Sequence, residues 1–310
     1  MIGAIDIGGT KIAVGVVGED GKIIRREESP TAADRGFTHA LDRMRQMLRD
    51  CAGQAGVKLT GIGIGSSGPI DPLTGIYGRV DNLPTWEGSN LMAPLAREFG
   101  VSVAVENDAD AAALAEAAWG AGRGKSRFIY ITVSTGIGGG MVFDGKLYRG
   151  VDGSHPEVGH HMIEASGPLC YCGAHGCWEW MAAGPAMVNW MRDNAPPGVT
   201  LPLDLTAKQI CRMAERGDAL ALKAVEREGY YIGVGIANLV TCFSPETIAL
   251  GGGLMRSSHL FMDRIREVVR TSCTLVPADK TQILLASMGP DTGIAGAARA
   301  WYNRFSNNGQ

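Results

Sequence analysis

Ile2-Gly-Ala-Ile-Asp6-Ile-Gly8-Gly9-Thr10-Lys11-Ile-Ala-Val-Gly-Val-Val17 is two apolar runs folded around a glycine turn. The runs predict strands over 2–7 and 11–17, and Asp20-Gly21 turns the chain into a third, Lys22–Glu28, as an antiparallel meander. Phe37, Leu41, Met44, Met47, Leu48 and Cys51 recur at helical spacing, so 37–53 reads as an amphipathic helix. A strand around Ile62 and Ile64, a helix over 90–99, a strand over 102–106 and an alanine-rich helix over 109–118 follow. After Gly120-Ala-Gly-Arg-Gly124 the plan begins again with a strand over 128–133, a glycine turn Ser134–Gly140, a returning strand over 141–143 and a hairpin at Asp144-Gly145. Helices over 179–194, 207–215, 218–241, 261–272 and 292–305 then alternate with strands over 247–250 and 282–286. Two halves on one plan predict α/β layers, with ligands at the carboxyl ends of strands and a boundary near 118–126.

The chain has 310 residues, enough for two domains. Lys+Arg number 29 against 32 Asp+Glu, so no basic excess points to nucleic acid and no charge block to a tail. No apolar run approaches the roughly 18 residues of a membrane span. The start enters a strand pattern without a basic region or cleavage site, which argues against a signal peptide. The seven cysteines include Cys51, Cys211, Cys242 and Cys273 in helix-like or apolar contexts, expected as reduced core residues of a cytoplasmic protein. The 44 glycines are about double the usual share and are clustered, marking loops where backbone closely approaches something.

Three of these loops carry chemistry. Asp6-Ile-Gly8-Gly9-Thr10-Lys11 can turn backbone N–H groups toward an anion, with the Thr10 hydroxyl as a further donor. Lys11 either adds charge there or is simply solvated. Asp6, ending an apolar strand, needs a partner, and Mg2+ would serve. Thr135-Gly136-Ile-Gly-Gly-Gly140 is a second turn of this kind; it lacks the Gly-Lys-Ser/Thr end of a Walker A loop. Gly251-Gly252-Gly253 follows a strand and suits a flat purine or a ribose. Each alone could be turn chemistry; their matching places in two halves favour a nucleotide. Asn107-Asp108 closes a strand of the first half, and Asp108 is the candidate base for phosphoryl transfer to a hydroxyl. The plainer reading is a helix N-cap, and one residue pair can do both.

His160 and the run Cys170-Tyr-Cys172-Gly-Ala-His-Gly-Cys177-Trp-Glu179 match the donor set of a Cys3His zinc site. Gly173 and Gly176 let the backbone bend between sulfurs. Glu157 and Glu179 flank the set, so a metal-stapled loop would hold two carboxylates rigidly; a purely structural knuckle is the alternative.

Taken together, these motifs resemble those of the ROK family of sugar kinases, within the actin/hexokinase/Hsp70 superfamily. Asp6-x-Gly8-x-Thr10 is similar to its first phosphate loop, and Ile248-Ala-Leu-Gly-Gly-Gly253 to its adenosine motif. Val133–Met141, Gly150, Glu157-Val-Gly-His160 and the cysteine run resemble its signature. The resemblance extends from residue 2 to about 300.

The resemblance implies two ribonuclease-H-like lobes with mixed sheets, closing a deep interdomain cleft over ATP, Mg2+ and a hexose. Residues 1–118 would form a small lobe joined by a closing helix over 292–310, and 119–291 a large lobe with the zinc loop at 155–180. Asp108 would take the proton of the sugar 6-hydroxyl. Asn82, Asn107, Glu157, His160 and Glu179 would bind the sugar, with Gly68 beside it. Asp6, Gly8, Gly9, Thr10, Lys11, Thr135, Gly136, Gly252 and Gly253 would contact ATP. Zn2+ would sit on His160, Cys170, Cys172 and Cys177, one imidazole nitrogen on the metal and the other on the sugar. The Glu-x-Gly-His spacing selects His160 over His161. Asn82-Leu-Pro-Thr-Trp86 matches the family's Asn-Leu-Pro-x-Trp segment. Ser67-Gly68 departs from its usual Pro-Gly, and Pro156 from its usual Gly.

The cysteine pattern is similar to that of the family's glucokinases and N-acetylhexosamine kinases and lacks the form usual in its fructokinases. Glucose is the expected acceptor, N-acetylmannosamine the alternative. Sugar-responsive ROK regulators carry a DNA-binding segment of about 60–80 residues before the first phosphate loop, whereas that loop begins here at residue 6. A catalytically dead sugar-binding protein would not be expected to keep Asp108 and both phosphate loops. A homodimer or homotetramer is expected from the family, and ADP or polyphosphate are open as alternative donors.

Overall fold

The computed structural model describes residues 1–306. The closing helix expected over 292–310 spans Thr292–Phe305, and 307–310 lie outside the described residues. Contacts divide the chain into two units. The first comprises Met1–Ser126, Gly140–Pro156 and the segment from Ser287, and the second Arg127–Gly139 with Glu157–Ala286.

In the first unit, β1 (Ile2–Ile7), β2 (Lys11–Val17), β3 (Ile23–Pro30), β4 (Gly61–Ser66) and β5 (Ser102–Asn107) form a sheet ordered β3-β2-β1-β4-β5. β1 runs antiparallel to β2 and parallel to β4, which is parallel to β5. The sheet is therefore mixed, as expected. α1 (Phe37–Ala55) lays Leu41, Met44, Met47, Leu48 and Cys51 against it, the stripe read from its spacing. Trp86 is fully buried and meets Phe37 and Tyr77 edge-on, each with centroids 5.4 Å away. This aromatic cluster anchors the Asn82–Trp86 segment. α3 (Asp108–Trp119) and α9 (Thr292–Phe305) pack on each other. The contact between α9 and β4 requires glycine, since a Cβ on Gly63 would lie 1.8 Å from the Ala297 carbonyl oxygen.

The second sheet is ordered β10-β9-β6-β7-β8, with β6 (Arg127–Val133), β7 (Ile137–Phe143), β8 (Lys146–Leu147), β9 (Thr247–Gly251) and β10 (Gln282–Leu285). β6 and β10 flank β9 in parallel register. The division between units runs through β7, after Gly139. In the second unit α7 (Ala219–Phe243) packs on α6 (Ala207–Glu215) and α8 (Met262–Ser272).

Three local expectations change. The turn after β6 is only Ser134–Gly136, and Gly138–Gly140 lie within β7. Glycine there is a packing requirement: a Cβ on Gly139 would lie 2.7 Å from the Tyr130 carbonyl oxygen. The helix expected over 179–194 is two, α4 (Trp178–Ala182) and α5 (Gly184–Asp193), parted at Ala183 in extended conformation. Cys51, Cys211 and Cys273 are buried, whereas Cys242 is exposed. No helix among the described residues is long and apolar enough to cross a membrane.

Candidate functional site

Sheet register assembles the first unit's residues. Ile7 pairs with Ser66 and Ser66 with Asn107, so β1, β4 and β5 end in one row. The next residues, Gly8, Ser67 and Asp108, therefore leave the sheet side by side. The β1–β2 turn closes through Gly8 N–H to the Lys11 carbonyl at 2.9 Å. A Cβ on Gly9 would lie 2.7 Å from Asn82 Nδ2, so the turn and the Asn82 segment are in contact. The Thr10 carbonyl accepts the Thr31 N–H at 2.9 Å, tying the turn to the end of β3.

Asp6 lies under this row. Burial, and next the charge of Asp108, push its carboxyl up to about 6. A Cβ on Gly293 would lie 2.2 Å from Asp6 Oδ2, so glycine at the start of α9 makes room for the carboxylate. Two neighbouring acids, one buried, suit a divalent cation. The Lys11 ammonium turns to Glu28, 2.7 Å away at the surface.

Asn107 caps α3: its side-chain oxygen accepts the Ala109 N–H at 2.8 Å and the Asp110 N–H at 3.4 Å, an arrangement worth about 1 kcal/mol. Asp108 is the first helical residue, with Oδ1 on the Ala109 N–H at 2.8 Å and Oδ2 3.5 Å from the Ser67 hydroxyl. A Cβ on Gly68 would meet Asn107 Nδ2 at 3.4 Å, placing this expected sugar loop against Asn107. Below Asp108 is a buried charge cluster that sequence reading did not find. Arg149 bonds Glu106 and lies 3.7 Å from Asp110, while His155 Nδ1 lies 2.8 Å from Asp110 Oδ2. Burial pushes the Glu106 carboxyl up to about 7, with Arg149 opposing.

In the second unit, the Glu-x-Gly-His spacing has a packing cause. A Cβ on Gly159 would lie 1.8 Å from the Ile137 carbonyl oxygen, so the short 3-10 turn bearing His160 can rest on β7 only with glycine there. Glu157, at the head of that turn, is exposed. One donor atom from each of His160, Cys170, Cys172 and Cys177 lies within 4.8 Å of the others. His160 Nδ1 is 3.8 Å from Cys170 Sγ, close to the ~3.6 Å edge of a tetrahedron built on zinc–sulfur and zinc–nitrogen bond lengths. Burial, and next Cys170, push the Cys177 thiol up to about 12. The four residues fit zinc in identity, number and spacing.

Gly173 and Gly176 have φ of 92° and 53°, and a Cβ on Gly176 would lie 1.9 Å from the Glu164 carbonyl oxygen. Cys177 also caps α4, its sulfur accepting the Trp180 N–H at 3.4 Å, so the cysteine fixes the helix that begins with Trp178 and Glu179. Trp178 is fully buried, with its indole N–H on the Tyr231 carbonyl at 3.0 Å. His161 faces elsewhere, bonded to the Val158 carbonyl at 2.6 Å and packed on the Trp178 ring.

Glu179 joins the knuckle to the glycine turn. Its Oε2 accepts the Ile137 N–H at 2.9 Å, and its Oε1 lies 3.9 Å from His160 Nε2 and accepts the Tyr171 hydroxyl at 2.7 Å. Gly136 lies against Glu179, and Gly252 backs onto Val133. Thr135 and Gly253 line a cavity of about 690 Å³, with Ser134, Gly184, Asn189, Arg192, Lys208, Arg212 and Arg256. These four cations come from α5, α6 and the turn after β9, and no local motif announces them. The register partner of Gly251 is Thr132, which brings the Gly251–Gly253 and Ser134–Gly136 turns together.

The model of the ROK family matches residues 2–304. The chain is 33% identical over 302 residues to a glucokinase of Thermotoga maritima, covering 95% of both. It is similar to the ROK hexokinase of Thermus thermophilus, with TM-score 0.85, 32% identity and coverage of 96% and 97%. It is also similar to a ROK family glucokinase of Streptomyces griseus solved with glucose and AMPPNP, with TM-score 0.80, 34% identity and the same coverage. On the α/β architecture and on this match across nearly its full length, the chain belongs to the ROK family.

Proposed function

We propose that this chain transfers the γ-phosphoryl group of ATP to the 6-hydroxyl of a hexose, with glucose as its principal acceptor. As a ROK member aligned end to end with glucokinases, it is a sugar kinase. The observation that most supports the reading is Glu179, which touches both the glycine turn and the His160 side of the cysteine cluster. Phosphate turn and sugar-binding imidazole are thereby held in one rigid network within the second unit.

In this reading Asp108 accepts the proton of the attacking hydroxyl, and Asn107 keeps it in place by capping α3. Asn82, Asn107, Glu157, His160 and Glu179 bond ring hydroxyls, with Gly68 close by. Gly8, Gly9, Thr10 and Thr135 face phosphates, and the cavity bordered by Gly253 takes the nucleoside. Lys11, paired with Glu28, serves phosphate only by leaving that pair. Asp6 would hold Mg2+, which offsets phosphate charge when bound. His160 Nδ1 and the three sulfurs would hold zinc, which fixes the imidazole so that Nε2 can serve the sugar. We further read the protein as a cytoplasmic homo-oligomer of two lobes.

A coupled assay with ATP-Mg across glucose, mannose, N-acetylmannosamine, N-acetylglucosamine and fructose tests this. Glucose is expected to give the highest kcat/KM. A higher value with N-acetylmannosamine would move the acceptor to the N-acetylhexosamines, and no turnover with any sugar would overturn the kinase reading.

A further inference from the structure

Tyr171 stands between two of the clustered cysteines, and the residue is 68% exposed. Its hydrogen bonds are at the tip. The hydroxyl donates to Glu179 Oε1 at 2.7 Å and lies 3.1 Å from His160 Nε2, with the two rings edge-on at 5.2 Å between centroids. His160 Nδ1 faces the Cys170 sulfur, and with that nitrogen on zinc Nε2 would be the one that carries a proton. The chain of donors then closes: imidazole N–H to phenol oxygen, phenol O–H to carboxylate. A sugar hydroxyl held by His160 and Glu179 would make those same two bonds, accepting from the imidazole and donating to the carboxylate.

We propose that Tyr171 is a built-in competitor for the sugar: its hydroxyl fills the hydroxyl-binding position between His160 and Glu179, and the hexose must displace it to bind. The inference rests on the reading of His160 and Glu179 as sugar-binding residues. The exposed ring leaves few packing contacts to break, and displacement costs mainly the two hydrogen bonds at its tip. Those bonds impose a filter. A sugar carrying a hydroxyl at this position replaces both bonds, whereas a deoxy analogue leaves the carboxylate and imidazole unserved and cannot dislodge the phenol.

Calorimetric titration of the zinc-loaded protein with glucose and with N-acetylmannosamine, without ATP, tests the competitor. Tyr171→Phe removes the hydroxyl and keeps the ring; Tyr171→Ala removes both. Both variants are expected to bind the accepted sugar about 3–10-fold more tightly, the net worth of one typical hydrogen bond that no longer opposes entry. KM for the sugar should fall in parallel, with kcat and the ATP KM within twofold. Sugar affinity unchanged or weakened in both variants, with wild-type binding intact, would overturn the competitor alone. Failure of wild type and variants alike to bind either sugar would overturn it together with the reading of the site beneath it.

Discussion

The backbone N–H of Ile137 donates to Glu179 Oε2 at 2.9 Å, so a glycine turn after a strand and a carboxylate on the first turn of a helix are one unit of structure. Between them is Gly136, where a Cβ would lie 2.4 Å from the same oxygen. Gly136→Ala is therefore expected to push the carboxylate aside. A displacement of about 1 Å can cost about 100-fold in rate, and kcat/KM for the sugar should fall on that scale. Circular dichroism should show the fold retained. Unchanged kcat/KM would mean that Glu179 does not position the sugar.

The cysteine cluster should hold one zinc per chain. Removing it with a chelator, or replacing Cys177 by serine, frees His160 and loosens the cap of α4. The sugar KM is expected to rise about 10–100-fold, the usual range when support of a metal site is lost, with the ATP KM within about threefold. Metal analysis of chelator-free protein giving less than half an equivalent would count against the site.

Arg149 neutralises two carboxylates beneath Asp108, those of Glu106 and Asp110, and Asp110 is fully buried. Arg149→Met keeps much of the stem and removes the charge. Breaking a buried pair from one side costs about 3 kcal/mol, which for a chain of this size is a fall in Tm of roughly 5 °C. A calorimetric scan showing Tm within 2 °C of wild type would remove Arg149 from this role.

Glu228 is fully buried on α7, with Arg227 3.8 Å away and no hydrogen bond to either carboxylate oxygen from a described residue. Burial pushes its carboxyl from the usual 4.5 up to about 8 against the opposing charge of Arg227. For an acid raised in the folded state, the contribution is complete below the unfolded pKa and is lost as pH rises through the folded one. Urea midpoints should therefore decline from pH 5.5 to 8.5. Glu228→Gln, which never ionises, should show a smaller decline. Equal declines in the two proteins would refute the assignment.

Much of the fold was legible because its signals are local. The apolar alternation of 2–17 and the stripe from Phe37 to Cys51 name their elements without tertiary help. Gly138–Gly140 read as a turn in sequence because glycine signals turns, but here glycine answers close packing inside β7, a fact of contact that no local pattern shows. The break at Ala183 is equally tertiary, since the Gly184 N–H leaves the helix run to bond Ser134. For the candidate site, the motif residues stand out by spacing, whereas Arg192, Lys208, Arg212 and Arg256 meet only through folding. Arg149 and Tyr171 act through partners that fold topology selects.

Turnover by Asp108→Asn measures most directly whether Asp108 is the base. Loss of the base should lower kcat by 10³-fold or more, at the upper part of the range for a positioned proton acceptor. The dissociation constant for glucose, measured by calorimetry, should stay within about threefold of wild type. Near-wild-type turnover with glucose binding intact would contradict the assignment of Asp108 as the base.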